Sequence, residues 1–424
     1  MKMKVSINPS SLHGTVTAPP SKSAGHRSII CAALANSPVT IFNCGESDDM
    51  TATINSIKGL GASVERSGST LYITPAKRNT ENAVIDCNES GSTARFMIPV
   101  AAALGVKNVT FTGKGRLPQR PFGILSDALR QNGVEVSSDT LPMTVSGRLK
   151  CGTFHIPGNV SSQYISGLLL GLSIVEGESQ IILTSPLESE PYVDITIKEL
   201  KAFGADIRRT EQGYFIKGQN ALTAAQRTVE GDWSQAAFFL CGGAVSNGVT
   251  VKGLRMDSLQ GDKEIVDLLC RFGADITVDG DSVEVIPKKL KGIEIDASQI
   301  PDLVPILAVT AAFAEGTTVI KNAERLRIKE SDRIKETVSR LVKFGINAHE
   351  TDDGMIIEGG VSHGCDITSA NDHRIVMAFS VLAANSCGTS NIDGAEAINK
   401  SYPLFFEDFI KIGGDATCHP QLEI

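Results

Sequence analysis

The stretch 325-RLRIKESDR-333 holds Arg325, Arg327, Lys329 and Arg333, with Glu330 and Asp332 among them. On a helix, Lys329 and Arg333 would lie at i and i+4 on one face, where like charges repel by roughly a few tenths of a kcal/mol. Such a pair is either an exposed, solvated one or is held for an anion. Glu330, flanked by cations, is expected to be ionised. A second carboxylate, Asp302 in 296-DASQIPDLVP-305, stands at the start of a very apolar run. It reads either as a helix cap or as a base near the same anion. Two carboxylates and a lysine beside bound anions suffice for proton transfers at an uncharged centre.

Other polar groups recur at the same kind of place, the start of an apolar helix. In 20-PSKSAGHRS-28, Ser21 or Ser23 can cap the helix that follows, with Lys22 and Arg27 on or beside its first turns. A cation there is unfavourable unless an anion is near. The turn 89-ESGSTAR-95 offers backbone N–H groups around Gly91 to an anion. Arg120 in 116-RLPQRP-121 precedes a helix, and Ser161, Ser162 and Gln163 in 161-SSQYISG-167 open another. Arg374 in 371-NDHR-374 opens a helix, and Lys400 in 400-KSYP-403 lies in a loop before the last one. Taken singly, each has an ordinary reading as a cap or a solvated charge. Together, helix N-termini lined with hydroxyls, glycine and basic groups make a positive cleft for a multiply anionic small molecule.

These positions sit in a repeat. A helical pattern, a glycine and an alternating strand recur with the glycine at 61, 133, 204, 273, 345 and 413 or 414, spaced 68–72 residues apart. The glycine is the left-handed stop of a helix, and a turn folds the following strand into a hairpin. The last copy, 408-DFIKIGGDATC-418, is degraded. Upstream of the hairpin helices lie segments apolar on nearly every side, such as 163-QYISGLLLGLSIV-175 and 303-LVPILAVTAAFA-314, which belong in an interior. The expected architecture is α/β repeats in two similar domains of three units each, helices inside and sheets outside.

The bulk composition excludes several classes. A chain of 424 residues exceeds one core. It is 42% hydrophobic and 21% charged, as ordinary globular proteins are. The net charge of −8 argues against a nucleic-acid surface. Nine scattered cysteines, none in a Cys-x-x-Cys pair, point to reduced and mostly buried thiols and to no metal site. No apolar stretch reaches the roughly 20 residues of a membrane span, and the lysines of MKMKVSINPSS lead into no signal sequence. A cytoplasmic location is expected. Among nucleotide and hydrolase motifs, a Walker loop, a dinucleotide fingerprint and a Gly-x-Ser-x-Gly elbow are all missing.

The ordered set PSKS, LPQRPFG, SSQYISGLLL, PYVDIT, EGDWSQAAFFL, IPDLVP, IKESDR, NDHR and KSYP runs nearly the full chain and resembles the EPSP synthase (3-phosphoshikimate 1-carboxyvinyltransferase) family of enolpyruvyl transferases. The resemblance implies a two-domain inside-out α/β barrel of six βαβαββ units. One domain would hold residues 1–19 and 231–424, the other 20–230, with crossings near 19–21 and 229–232 and the site in the cleft between them. It implies transfer of the enolpyruvyl group of phosphoenolpyruvate to the 5-hydroxyl of shikimate 3-phosphate through a tetrahedral intermediate. That is a step of the shikimate pathway to chorismate and aromatic amino acids, in a family that is the target of glyphosate. No cofactor or metal is implied, the partners are the two small substrates, and the protein would be monomeric.

Carried over by motif, Lys22 would touch both substrates, and Ser23 and Arg27 would hold the shikimate carboxylate side. Ser161, Ser162 and Ser189 would bind the 3-phosphate, with Gln163 and Tyr192 nearby. Gln163 would also reach phosphoenolpyruvate. Arg120, Arg333, Arg374 and Lys400 would grip phosphoenolpyruvate against the Gly91 turn. Asp302 would be the base at the 5-hydroxyl, and Glu330 would handle the methylene proton with Lys329 beside it. The chain departs from the common pattern at Glu89, Glu190, His26 and Arg325. The related transferases that act on UDP-N-acetylglucosamine carry a cysteine in the loop matching 113-GKGRLPQRP-121, which has none here. Retention of Lys22, Asp302 and Glu330 together argues against a non-catalytic anion binder.

Overall fold

The computed structural model describes residues 2–78 and 81–421. In each copy of the repeat a glycine stops the helix in the left-handed region. Gly61, Gly133, Gly204, Gly273, Gly345 and Gly413 have φ between 81° and 112°, where a Cβ costs roughly 1–2 kcal/mol. The chain then turns into antiparallel pairs such as Ser63–Ser67 with Thr70–Thr74 and Asp275–Asp279 with Ser282–Ile286.

Six four-stranded sheets result, all built alike. An outer strand runs parallel to its neighbour, and the next two strands follow antiparallel, as in Asn82–Asp86, Asn108–Thr112, Met143–Gly147 and Val134–Val136. A helix lies between the parallel strands in sequence and another precedes the hairpin, which is the βαβαββ order. Three sheets borrow a strand from far along the chain. Arg227–Thr228 pairs with Val39–Phe42, Gly14–Thr17 with Val249–Lys252, and Lys2–Asn8 with both Ser390–Asp393 and Asp415–Gln421. The last pairing explains the degraded sixth copy. Its hairpin is completed by the N-terminal strand, so no turn sequence is needed there.

The chain divides into two compact units, Met1–Pro19 with Gly231–Ile424, and Pro20–Glu230. Each has its own core. In the first, helices Trp233–Ala244, Val304–Ala311 and His373–Ala384 are buried at every residue and pack on one another. In the second, Lys22–Ala33, Gly91–Leu104 and Ser162–Leu172 take the buried places. A Cβ on Gly167 would fall 2.2 Å from the Arg95 carbonyl oxygen, so the last two helices meet backbone to backbone. The sheets bury alternate residues and leave the others exposed, as in Thr70–Thr74 and Ser282–Ile286.

The cysteines correct one expectation. Cys31, Cys44, Cys87 and Cys241 are buried and Cys365 is half-buried, but Cys151, Cys270, Cys387 and Cys418 are exposed. Cys270 lies on a helix that buries its other face, and Cys418 on an edge strand. Among the described residues, no helix is long and apolar enough to cross a membrane.

Candidate active site

The ten candidate residues of the second unit lie at or near the starts of its helices. Ser21 caps Lys22–Ala33, so Lys22 begins the helix and its Nζ reaches Asp49 Oδ2 at 2.7 Å. One turn on, Arg27 is buried. Its Nε donates to Thr196 Oγ1 at 2.6 Å, Nη1 to the Ser23 carbonyl at 2.7 Å, and Nη2 to the Tyr192 carbonyl at 2.9 Å. These acceptors are all neutral, and burial pushes the guanidinium pKa down to about 10. Arg27 thus remains a buried cation at neutral pH. It ties the first helix to Glu190–Ala202, which starts after Ser189 in the left-handed region.

Ser161 caps Ser162–Leu172 by accepting from the Gln163 amide. Gln163 Nε2 donates to Ser92 Oγ, and its Oε1 accepts from Arg95 Nη1, both at 2.8 Å. Gly91 opens its helix behind the Ser90 cap, and a Cβ there would meet Arg95 Nη1 at 2.6 Å and Arg120 Nη1 at 2.7 Å. Two guanidinium groups therefore press on a helix N-terminus already positive by its dipole, a place suited to an anion. Of the departures, the Glu89 carboxylate packs against Gly115, and Glu190 pairs with Arg209.

Of the six candidates of the first unit, the buried Arg333 is the centre and the other five lie around its network. Arg333 Nε donates to Asp372 Oδ2 at 2.8 Å, Nη1 to Asp302 Oδ1 at 3.0 Å and Nη2 to Glu330 Oε2 at 2.7 Å. Arg374 Nη2 reaches Asp302 Oδ2 at 3.0 Å, and its Nη1 donates to the Asp302 carbonyl at 2.8 Å. Lys400 Nζ donates to the Asn371 carbonyl at 2.6 Å, next to Asp372. Burial alone would raise the Asp302 pKa, but Arg374, Lys329 and Arg333 outweigh it and hold the carboxyl far below its usual range. Burial pushes the Lys329 ammonium down to about 8 against the pull of Asp302 and Glu330.

Here the structure overturns the shared helix face of Lys329 and Arg333. Lys329 ends the short 3-10 helix Glu324–Ile328, and the α-helix starts only at Arg333. The reason is Asp332, whose side chain accepts from the Lys335 amide at 3.1 Å and caps the helix. The two cations are held together by the acids between them. Arg325 donates to the Ser298 carbonyl, on the segment leading to Asp302.

Sequence reasoning passed over Asp49, Arg95 and Asp372 as site residues. Arg95 stands four residues after Gly91 in a motif already singled out, which was the available signal. Asp372 likewise stands inside the quoted motif 371-NDHR-374, whereas Asp49 gave no signal, because its partner Lys22 lies 27 residues away.

Comparison with known proteins supplies the last link. The family model "EPSP synthase (3-phosphoshikimate 1-carboxyvinyltransferase)" matches residues 7–409. Proteins named 3-phosphoshikimate 1-carboxyvinyltransferase from Clostridium novyi and Clostridium acetobutylicum are each 45% identical, with 97% of both chains covered. An EPSP synthase structure from Acinetobacter baumannii has a TM-score of 0.83 at 28% identity, covering 99% of this chain and all of that one. The enolpyruvyl transferase NikO from Streptomyces tendae, at 19% identity and a TM-score of 0.80 over 98% of this chain and 99% of its own, shares the fold. With basic groups gathered at helix starts in one unit, an acid–arginine network in the other, and a family match that spans both, the chain belongs to the EPSP synthase family.

Proposed function

We propose that this chain transfers the enolpyruvyl group of phosphoenolpyruvate to the 5-hydroxyl of shikimate 3-phosphate and releases phosphate, using the sixteen residues placed above. The observation that carries the residue assignment is the Arg333 network, where two carboxylates, Asp302 and Glu330, share one buried guanidinium. Both substrates bear phosphate and carboxylate groups, so they need the cations. The reaction moves one proton on and one off, so it needs the acids.

In this reading Ser161, Ser162 and Ser189 take the 3-phosphate, with Gln163, Tyr192 and Lys329 beside it, and Ser23 and Arg27 take the carboxylate side. Arg120, Arg333, Arg374 and Lys400 hold phosphoenolpyruvate against Gly91, with Gln163 in reach and Lys22 between the substrates. The 5-hydroxyl oxygen bonds to C2 of phosphoenolpyruvate while its proton passes to Asp302. Glu330, which takes up a proton as the substrate anions offset the field of Arg333, delivers it to the methylene carbon C3, giving a tetrahedral centre that carries both the phosphate and the new ether oxygen. The C2–O bond to phosphate then breaks, the proton held on Asp302 passes to the departing phosphate, a methyl proton returns to Glu330, and the double bond re-forms. A carboxylate held as low as Asp302 is a weak base. Substrate anions drawn to Arg333 and Arg374 offset that field and raise its proton affinity.

The two units serve as domains, each closed into a barrel of three βαβαββ repeats with the helices inside, and each supplies part of the candidate set. The crossings near 19–21 and 229–232 act as hinges. Support comes from the division of contacts at Pro19/Pro20 and Glu230/Gly231 and from the split of the candidates, ten to one unit and six to the other. The enzyme works as a monomer in the cytoplasm.

The test is phosphate release from phosphoenolpyruvate with and without shikimate 3-phosphate. Release that requires the second substrate, and falls by roughly 10²–10⁴ in Glu330→Ala, is the expected result. No release with shikimate 3-phosphate sinks the reading, and UDP-N-acetylglucosamine becomes the next acceptor to try.

A further inference from the structure

Two helices of the second unit face each other through matched pairs. Lys22 and His26 stand at i and i+4 on Lys22–Ala33, and Asp49 and Thr53 at i and i+4 on Asp48–Gly59. The first rung is the Lys22–Asp49 ion pair at 2.7 Å. The second is His26 Nδ1 to Thr53 Oγ1, also at 2.7 Å. The second rung continues. Thr53 Oγ1 lies 2.7 Å from Thr93 Oγ1, which donates to Ser90 Oγ at 2.8 Å. Ser90 is the cap of the helix that opens at Gly91, and it accepts from the Thr93 amide at 3.2 Å. A buried chain of side chains thus runs from the Lys22 helix to the glycine turn.

A hydroxyl has one proton, which fixes the direction of the chain. Thr93 gives its proton to Ser90, so Thr53 must give its own to Thr93. Thr53 can then only accept from His26, and His26 Nδ1 carries the hydrogen. The other ring nitrogen fits that assignment. Nε2 is buried with no hydrogen-bond partner among the described residues, and the imidazole makes an edge-to-face pair with Phe96, ring centroids 6.4 Å apart. No acceptor stands there for a hydrogen, so Nε2 does not oppose the assignment. Lys22 and Arg27 flank the ring on its own helix, and with burial they keep it neutral.

We infer that His26, as the neutral Nδ1–H tautomer, is a positioning residue. Through Thr53, Thr93 and Ser90 it sets the Gly91 turn relative to Lys22. The consequence for phosphoenolpyruvate rests on the proposed reaction, since it is there that Gly91 and Lys22 meet that substrate. The tautomer does not rest on it.

Two experiments separate the parts. Nitrogen-15 NMR of the imidazole in the intact protein should show a protonated Nδ1 and an unprotonated Nε2 at neutral pH. The opposite tautomer, or an imidazolium, overturns the inference whatever the reaction. In steady-state kinetics His26→Leu, which keeps bulk and removes the donor, should raise KM for phosphoenolpyruvate roughly five- to tenfold, the factor one buried hydrogen bond controls. His26→Asn, whose amide nitrogen can take the Nδ1 position, should recover most of that. His26→Leu combined with Thr93→Val should do no more than either alone. An unchanged KM in His26→Leu, no recovery in His26→Asn, or additive effects overturn the inference. Wild type that turns over no shikimate 3-phosphate would count against the proposed reaction alone.

Discussion

Replacing Asp372 by Asn removes one negative charge from the middle of the Arg333 network and turns one of its two acceptor oxygens into a donor. Asp372 is fully buried and meets four donors. Arg333 Nε reaches it at 2.8 Å and Nη2 at 3.3 Å, Ser331 Oγ at 2.9 Å and the Arg374 amide at 2.9 Å. Breaking a buried pair costs about 3–5 kcal/mol. Arg333 keeps Asp302 and Glu330 at 3.0 and 2.7 Å, and Asn retains an acceptor for the helix cap, so the low end, about 3 kcal/mol, is expected. The pH dependence has a definite sign. Burial would raise the Asp372 carboxyl, but Arg333 and then His373 hold it below its usual range. The unfolded carboxyl titrates near 3.9. The stability gap between wild type and Asp372→Asn is therefore complete above about pH 4 and closes as the pH falls through the lower folded value. Urea unfolding of both proteins between pH 3 and pH 8 measures it. A gap under about 1 kcal/mol at neutral pH, or one that does not narrow below about pH 4, refutes the claim that Asp372 neutralises Arg333.

Two further outcomes follow from the geometry. Gly91→Ala places a methyl 2.6 Å from Arg95 Nη1 and 2.7 Å from Arg120 Nη1, so both guanidinium groups must move by about 1 Å. KM for phosphoenolpyruvate should rise roughly ten- to a hundredfold with no loss of thermal stability, since Ala favours the helix, and an unchanged KM counts against Gly91 as part of the anion site. Lys329, pushed down to about 8 by burial, loses its charge as the pH rises through that value. Wild-type kcat/KM for shikimate 3-phosphate should therefore fall above about pH 8, while Lys329→Arg, always charged, should not show that fall, and the same decline in both would assign it elsewhere.

Much of the scaffold could be read because its signals are local. A left-handed glycine is demanded by the turn itself, and all six repeats carry one. Ser21, Ser90 and Ser161 cap the helices their motifs announced. A cap sits at the mouth of a helix by construction, so a motif of hydroxyls before an apolar run locates an anion-facing site as well as a helix start. The same logic failed one turn away from Arg333. The charges of 325-RLRIKESDR-333 suggested one helical face, yet Asp332 is the better cap and delays the helix to Arg333.

What stayed hidden is which cation is neutralised and by what. Lys22 and Arg333 look alike in sequence, each a basic residue near a helix start and within two residues of a serine. In the structure Lys22 pairs with Asp49, while Arg333 is shared by Asp302, Glu330 and Asp372. That difference decides the chemistry. On the proposed reaction an incoming anion competes with these carboxylates for Arg333, and an acid that loses part of that positive field regains proton affinity. In that reading substrate binding and the arming of Asp302 are one event, set by pairings that fold together segments far apart in the chain. An acid network that simply stabilised the fold would leave the pH dependence of kcat/KM unmoved when Arg374→Gln removes another cationic partner of Asp302. The coupled reading requires the acid limb of that profile to move upward.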